Sequence, residues 1–275
     1  MSECKSDCSK CGSSCPSKQD PSSLLKPLNK NSNIGKVVAV VSGKGGVGKS
    51  MVTSLLAVIM RRRGYKVGVL DADITGPSIP QAFHIHENAY QSAFGIEPIE
   101  SESGVKVMSI NLLLDNETSP VLWRGPVIAG VIGQFWTDVH WGELDYLFVD
   151  MPPGTGDVPL TVFQSLPVDG IIIVTTPQDL VGMIVEKAVH MAELMNIPVL
   201  GLVENMSYFK CPDCGKEHMI FGESKVEALA KQYNIANFAR LPIDPVITAM
   251  VDAGEVESVS GEHIAPIVDA IAKEA

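Results

Sequence analysis

From Lys36 onward the chain alternates between short, wholly apolar runs and longer stretches where apolar residues recur every three or four positions. Val37-Val38-Ala39-Val40-Val41 has no polar interruption, and neither has Ile171-Ile172-Ile173-Val174. A strand with one wet face alternates apolar and polar residues, so uninterrupted β-branched runs predict strands covered on both faces. Strands are predicted at 37–42, 67–71, 105–110, 146–150, 170–175 and 198–204, with a short one at 238–241. Helices are predicted at 50–63, 126–139, 158–165, 180–195, 223–232, 245–253 and 263–273. Strand and helix in turn imply an α/β fold with a doubly wound, mostly parallel sheet. Residues 84–103 carry no strong pattern, and no internal repeat is present.

Residues 1–33 differ: they are rich in Ser, Lys, Asn, Pro and Cys and lack apolar periodicity. Without a bound metal they bury too little to offset their ordering entropy. The expected organisation is a flexible cysteine-rich tail at 1–33 and one domain at 34–275. Hydrophobic residues make up 45% of the 275, enough for a large core. No apolar run approaches the ~20 residues that span a bilayer, and the polar opening Met1-Ser2-Glu3-Cys4 has no signal-peptide core. A cytoplasmic protein with no membrane partner is therefore expected. The formal net charge of −11 argues against nonspecific nucleic-acid binding, which needs cationic surface. Arg61-Arg62-Arg63 is expected to close the first helix, where cations complement its dipole.

The chemistry begins where the first strand ends. Gly43-Lys44-Gly45-Gly46-Val47-Gly48-Lys49-Ser50 satisfies the phosphate-loop pattern G-x-x-x-x-G-K-S between a strand and a helix. Glycines let successive N–H groups turn inward on a polyphosphate, and the helix points its positive end at the same anion. Lys49 then reaches the β- and γ-phosphates, and the Ser50 hydroxyl ligates Mg²⁺. Lys44 is unusual, because phosphate cradling does not require a cation so early in the loop. Val69-Leu70-Asp71-Ala72-Asp73 puts two carboxylates at a strand end, Asp71 near the Mg²⁺ shell and Asp73 extending toward the attacking water. Asp150 ends Tyr146-Leu147-Phe148-Val149 in the Walker-B manner, a carboxylate beside hydrated Mg²⁺. The loop Met151-Pro152-Pro153-Gly154-Thr155-Gly156-Asp157 follows, stiff in parts and hinged in others, as a γ-phosphate sensor requires. Asp157 reads equally well as a helix cap.

Six cysteines are present, four of them in the tail. In a reducing compartment such clusters point to metal or redox chemistry more than to disulfides. Cys211-Pro212-Asp213-Cys214 supplies two thiolates, whereas one metal or cluster normally takes four ligands. A twofold dimer would bring two such pairs together. The pair is open to a bridging iron–sulfur cluster, to zinc, or to a redox or inert thiol role. Cys4, Cys8, Cys11 and Cys15 could wrap a cluster or zinc without a preformed fold, or remain unliganded. Met183, Met191 and Met195 sit near helical spacing and are expected in the core, as are Phe135 and Trp136. His84, His86 and His218 are expected in loops.

Residues 43–50 resemble the deviant Walker A signature K-G-G-x-G-K-S/T of the SIMIBI NTPases. Asp71-Ala72-Asp73-Ile74-Thr75-Gly76-Pro77-Ser78, Val174-Thr175-Thr176-Pro177-Gln178-Asp179 and Val203-Glu204-Asn205-Met206-Ser207-Tyr208-Phe209 resemble one branch closely, as does the loop after Asp150. That branch is the Mrp/ApbC family of iron–sulfur cluster carrier ATPases, and the likeness runs from about residue 36 to 254. The resemblance implies ATP, bound by residues 43–50 with the adjoining Met51, with Asn205 on the adenine and Pro242 and Asp244 against the same base. It implies that Lys44 crosses a homodimer interface to the partner's nucleotide, in the manner of an arginine finger. It also implies a [4Fe–4S] cluster bridging two subunits through Cys211 and Cys214 and passed to apo-proteins. The family's amino-terminal cluster motif has longer outer spacings, and the tail matches only its inner C-x-x-C. Competing readings are a partitioning or positioning ATPase on membrane or DNA, with residues 264–273 as a short amphipathic candidate, and a zinc-binding regulatory ATPase. An electron-donating reductase is disfavoured by the close cysteine spacing.

Overall fold

β1 (Asn33–Ser42) runs through the middle of the sheet, parallel to β7 (Glu143–Asp150) on one side and β8 (Gly170–Thr175) on the other. The structure is a computed structural model that describes residues 25–74, 76–114, 125–178 and 181–273. Along β1 the side chains alternate between two separate hydrophobic layers. Val37, Ala39 and Val41 enter one, Val38 and Val40 the other, and all five are buried. A strand with water on neither face has no position for a polar residue, hence the unbroken apolar run.

Outward from β7 come β2 (Val67–Asp71), β6 (Lys106–Met108) and β5 (Ile99–Glu100); outward from β8 come β9 (Val199–Lys210) and β11 (Phe238–Pro242). Every pairing among these is parallel except β5 with β6. One layer is closed by α3 (Gly125–Thr137), α4 (Asp157–Ser165), α5 (Val181–Leu194) and α6 (Val226–Gln232), through residues such as Phe135, Phe163, Val185 and Leu229. The other is closed by α1 (Lys49–Arg62), α2 (Ile79–Ala82) and α8 (Ala265–Lys273), through Leu56, Ile79 and Ile267. This is the doubly wound parallel sheet the alternation implies. α7 (Pro245–Asp252) buries no residue fully.

The three arginines end α1 and hold neighbouring segments. Arg61 Nε donates to the Ser103 carbonyl at 2.7 Å, Arg62 Nη1 to the Val259 carbonyl at 2.6 Å, and Arg63 pairs with Asp269 at 2.7 Å. Within the expected tail, residues 25–32 lie along the body. The Lys26 N–H donates to the Ser165 carbonyl at 2.9 Å and Trp136 Nε1 to the Lys26 carbonyl at 3.0 Å. The chain therefore enters β1 at the sheet's amino edge, beside the end of α4. Cys4, Cys8, Cys11 and Cys15 lie outside the described residues.

Three features depart from the sequence reading. Residues 84–103 hold a small hairpin of β3 (Tyr90–Gln91) and β4 (Ile96–Glu97) besides β5, secured by distant partners such as Asp138 and Asn29. β9 continues to Lys210, past the polar Glu204 and Asn205 where the apolar run stops. Met183, expected in the core, is half exposed: it precedes Val185 by two positions, about 200° around α5 from the face that meets the sheet. Met191 is buried and Met195 packs against the core.

Phe148 in β7 is fully buried. Phe148→Ala is expected to cost about 3–5 kcal/mol of stability in urea unfolding, since the layer cannot refill an aromatic-sized void.

Candidate nucleotide site and cysteine hairpin

All the functional candidates within the described residues gather at the carboxyl edge of the sheet. β1 ends at Ser42 and the loop returns into α1 through Gly48, whose φ of 82° lies in the left-handed region. A Cβ there would also stand 2.2 Å from Asn205 Nδ2, so both backbone conformation and space call for glycine. Gly45 and Gly46 face open space, which leaves a concavity lined by backbone. α1 has no side-chain cap and no acidic residue in its first turn. Its leading N–H groups and the positive end of its dipole are thus free for an anion.

Lys49 is buried, and its Nζ makes no aligned hydrogen bond. It rests 2.8 Å from Asp150 Oδ2 and 3.7 Å from Asp73 Oδ2. These ion pairs hold the ammonium among the carboxylates. Asp150, at the end of β7, also accepts from Ser50 Oγ at 2.6 Å and Thr53 Oγ1 at 2.8 Å. Asp71 stands beside Asp150 in the β2–β7 register. It accepts from Ser109 Oγ at 3.2 Å and from the Asp73 and Ile79 N–H groups at 3.2 and 3.4 Å. Burial first, then the neighbouring Asp150 charge, push the Asp71 carboxyl up to about 8 from an ordinary 3.8, with Lys49 pulling the other way. With Asp71 keeping its proton, Asp73 and Asp150 still outweigh the one ammonium and present hard oxygen donors, which suits Mg²⁺ at Ser50 and Asp150. The buried Lys49 ammonium, the open glycines and the uncapped helix suit a polyphosphate.

Lys44, half-buried at the loop's start, donates to Gln178 Oε1 within its own chain. Asn205 Nδ2 donates to the Val47 carbonyl at 2.9 Å, tying β9 to the loop. From there a cavity of about 820 Å³ opens, walled by Gly48, Met51, Asn205, Pro242 and Asp244 and continuing between α7 and residues 258–264. Asp244 lines it while its Oδ1 caps α7, accepting from the Val246 and Ile247 N–H groups at 2.8 and 3.4 Å. The side chain of Asp157 lies outside what the structure describes. Thr53 and Ser109 were missed in the sequence. Thr53 carried a signal, lying four residues after Lys49 on the same helical face; Ser109 carried none, because it reaches Asp71 only through the β2–β6 pairing.

β9 runs on from Asn205 to Lys210 and turns back into β10 (Glu217–His218), pairing antiparallel with it. Cys211 and Cys214 sit in that turn, closed by hydrogen bonds from Cys211 N to Lys216 O at 2.9 Å and from Gly215 N to Cys211 O at 2.8 Å. Between the predicted strand at 198–204 and the predicted helix at 223–232 the chain thus forms a hairpin, and His218, expected in a loop, belongs to its second strand. Cys211 is partly exposed and Cys214 exposed, both as free thiols. Backbone N–H groups of Cys214 and Asp213, then the Cys214 thiol, hold the Cys211 thiol below its ordinary value and favour thiolate. Among the described residues no three His, Cys, Asp or Glu side chains come together as a metal site.

A parallel doubly wound sheet with this loop, paired strand-end carboxylates and an uncapped first helix defines a P-loop nucleotide-binding protein. Residues 33–275 match the NUBPL iron-transfer P-loop NTPase (ParA) family, and the chain belongs to that family. It is 45% identical over 263 residues to the iron–sulfur cluster carrier protein of Clostridium perfringens, covering 92% of each chain. It is 47% identical to the protein of that name from Methanocaldococcus jannaschii, covering 89% of this chain and 86% of the relative. The cytosolic Fe–S cluster assembly factor CFD1 of Candida glabrata is 42% identical, with 86% of both chains covered. Among solved structures, an ADP-bound nucleotide-binding protein from Archaeoglobus fulgidus matches with a TM-score of 0.75 at 50% identity, covering 82% of this chain and 88% of that one. The MinD cell division protein of Aquifex aeolicus shares the fold, with a TM-score of 0.58 at 17% identity over 87% of this chain and 96% of its own.

The raised Asp71 value has a measurable consequence. Below pH 3.8 the carboxyl is protonated folded and unfolded alike; above it the unfolded chain loses its proton first, so Asp71's contribution to stability falls as pH rises and is lost through about 8. In the nucleotide-free protein, Asp71→Asn should therefore gain stability relative to wild type as pH climbs through that window. Parallel urea-unfolding curves at every pH would contradict the assignment.

Proposed function

We propose that this chain is an ATPase that carries an iron–sulfur cluster of the [4Fe–4S] type at the seam of a homodimer and passes it to apo-proteins. One observation carries the reading: a hairpin with two accessible thiols, and no three metal-ligating side chains gathered anywhere among the described residues, continues the strand whose Asn205 bonds the phosphate loop. Two thiolates are half of a cluster's usual four, so a second copy completes the set. The family membership and the names of the relatives support the same cargo.

In this reading the loop's N–H groups and Lys49 hold the β- and γ-phosphates, and Asn205, Met51 and Pro242 hold the base. Ser50 and Asp150 would hold Mg²⁺, which would supply neutralising charge on the phosphate oxygens. Asp73 orients the attacking water. Lys44 leaves Gln178 for the partner's nucleotide when two copies close. Positioning and electrostatics then supply most of the rate. We assign Cys4, Cys8, Cys11 and Cys15 to a second cluster carried by the tail. Acceptor proteins and a cytoplasmic setting complete the proposal, the latter in keeping with the cytosolic name of the Candida relative. No helix of the described residues is long and apolar enough to cross a membrane. α8, the candidate membrane helix, spends its apolar face on the sheet through Ile267, Val268 and Ile271. That favours cargo transfer over positioning on a lipid surface.

Anaerobic reconstitution with iron and sulfide tests this. Wild type should take on visible absorption, dimerise and transfer cluster to an apo-acceptor. Combined Cys211→Ala and Cys214→Ala should abolish the bridging cluster and its transfer while ATP turnover persists. Transfer unchanged in that variant, or a zinc content in place of iron and sulfide, would reject the reading. Lys49→Ala should keep the cluster yet lose ATP turnover by about 100-fold or more, the scale on which positioned phosphate contacts act.

A further inference from the structure

From the outer end of β9 to α6 the chain makes an excursion, residues 209–225, that carries both Cys211 and Cys214. Both of its feet stand on one polar network. Glu204 is fully buried, and its Oε2 accepts from Ser207 Oγ at 2.6 Å while its Oε1 accepts from the Lys225 N–H at 3.2 Å. Ser207 lies where the excursion departs; Lys225 lies where it returns, just before the first turn of α6. The Ser207 oxygen in turn accepts from Arg240 Nε at 2.8 Å. The same guanidinium lies 5.1 Å above the Tyr208 ring centre and reaches Met219 Sδ through Nη2 at 3.7 Å. One arginine of β11 thus touches both the departing strand and the returning limb.

Arg240 does not line the nucleotide cavity, but its neighbours do: Leu241, Pro242, Ile243 and Asp244 follow directly in sequence and form one wall. The Ile243 N–H donates to the Tyr208 carbonyl at 2.6 Å, and the β9–β11 register shifts between Arg240 and Pro242. The wall is therefore bonded directly to the strand that carries the hairpin. A guanidinium suits this place, because its planar fork serves an oxygen, a ring face and a sulfur at once; an ammonium offers one point of contact.

We propose that Arg240 is a positioning residue that couples the nucleotide cavity to the cysteine hairpin, so that filling the cavity resets Cys211 and Cys214 through the guanidinium's hold on Ser207, Tyr208 and Met219. The inference rests on the carrier reading for what the hairpin holds, yet the coupling itself is readable on bare thiols. The test uses the full chain, metal-free, with Cys4, Cys8, Cys11 and Cys15 changed to Ser, and a maleimide probe of the two remaining cysteines with and without Mg-ATP. ATP should change the alkylation rate by about fivefold, the lower end of ordinary coupling between sites. In Arg240→Gln that ratio should fall to about one with ATP affinity unaltered, a separation that general loosening of the fold would not produce. Arg240→Lys, keeping only the cation over Tyr208, should fall between the two. If Arg240→Gln fails to fold, Ser207→Ala reads the same link and should lower the ratio. Alkylation insensitive to ATP in the parent chain, or a parental ratio in the variant that folds, would overturn the proposal. Failure of the carrier reading would appear separately, as a full-cysteine chain that binds neither iron nor sulfide while the thiol ratio stays measurable.

Discussion

The carboxyl edge of this sheet is organised around one buried ammonium among three carboxylates. Parallel pairing of β2 with β7 forces Asp71 and Asp150 into register, and Lys49 enters from α1 as the counter-charge. Two ionised carboxylates side by side in a dry interior repel, so the pair is tolerable only with that ammonium close and with one carboxyl retaining its proton. Hydroxyls from Ser50, Thr53 and Ser109 satisfy the remaining oxygens. The arrangement resists folding less than it demands a ligand: oxygen donors stand ready for a hard cation, and the lysine's donors for a polyphosphate. Buried layers on both faces of the sheet hold the strand ends that carry these groups.

Around that centre the strands serve as mechanical connections. β1 delivers the loop, β7 and β2 deliver carboxylates, and β9 both touches the loop through Asn205 and continues into the hairpin. Cys211 follows Asn205 by six positions, just past the end of their common strand. The two chemistries of the molecule, phosphate and thiolate, are joined by a single short span of extended backbone. β11 lines the span on its far side and shares its ending with the wall of the cavity.

The sheet's inner strands were legible because a strand buried on both faces tolerates nothing but apolar residues, and β2 and β8 were read to their last residue. The phosphate loop was legible because its constraints are local: a glycine where φ is positive, a lysine and a hydroxyl one turn on. The rest depended on partners far away in sequence. β3, β4 and β5 have two residues each and exist through contacts with Asp138, Asn29 and Lys106. The extension of β9 was hidden by Glu204 and Asn205, polar residues that stay buried because Ser207, Lys225 and Val47 answer them. The Glu204–Ser207–Arg240 network is of the same kind: Glu204 and Ser207 share one stretch of β9, but Arg240 and Lys225 join it from distant parts of the chain.

The course of residues 25–32 sets a leash. The chain is fastened at the sheet's amino edge, whereas the hairpin extends past the carboxyl edge, and the ten residues of β1 alone rise about 33 Å between those levels. The segment ahead of Leu25 is therefore anchored a full strand's rise from the level of Cys211 and Cys214.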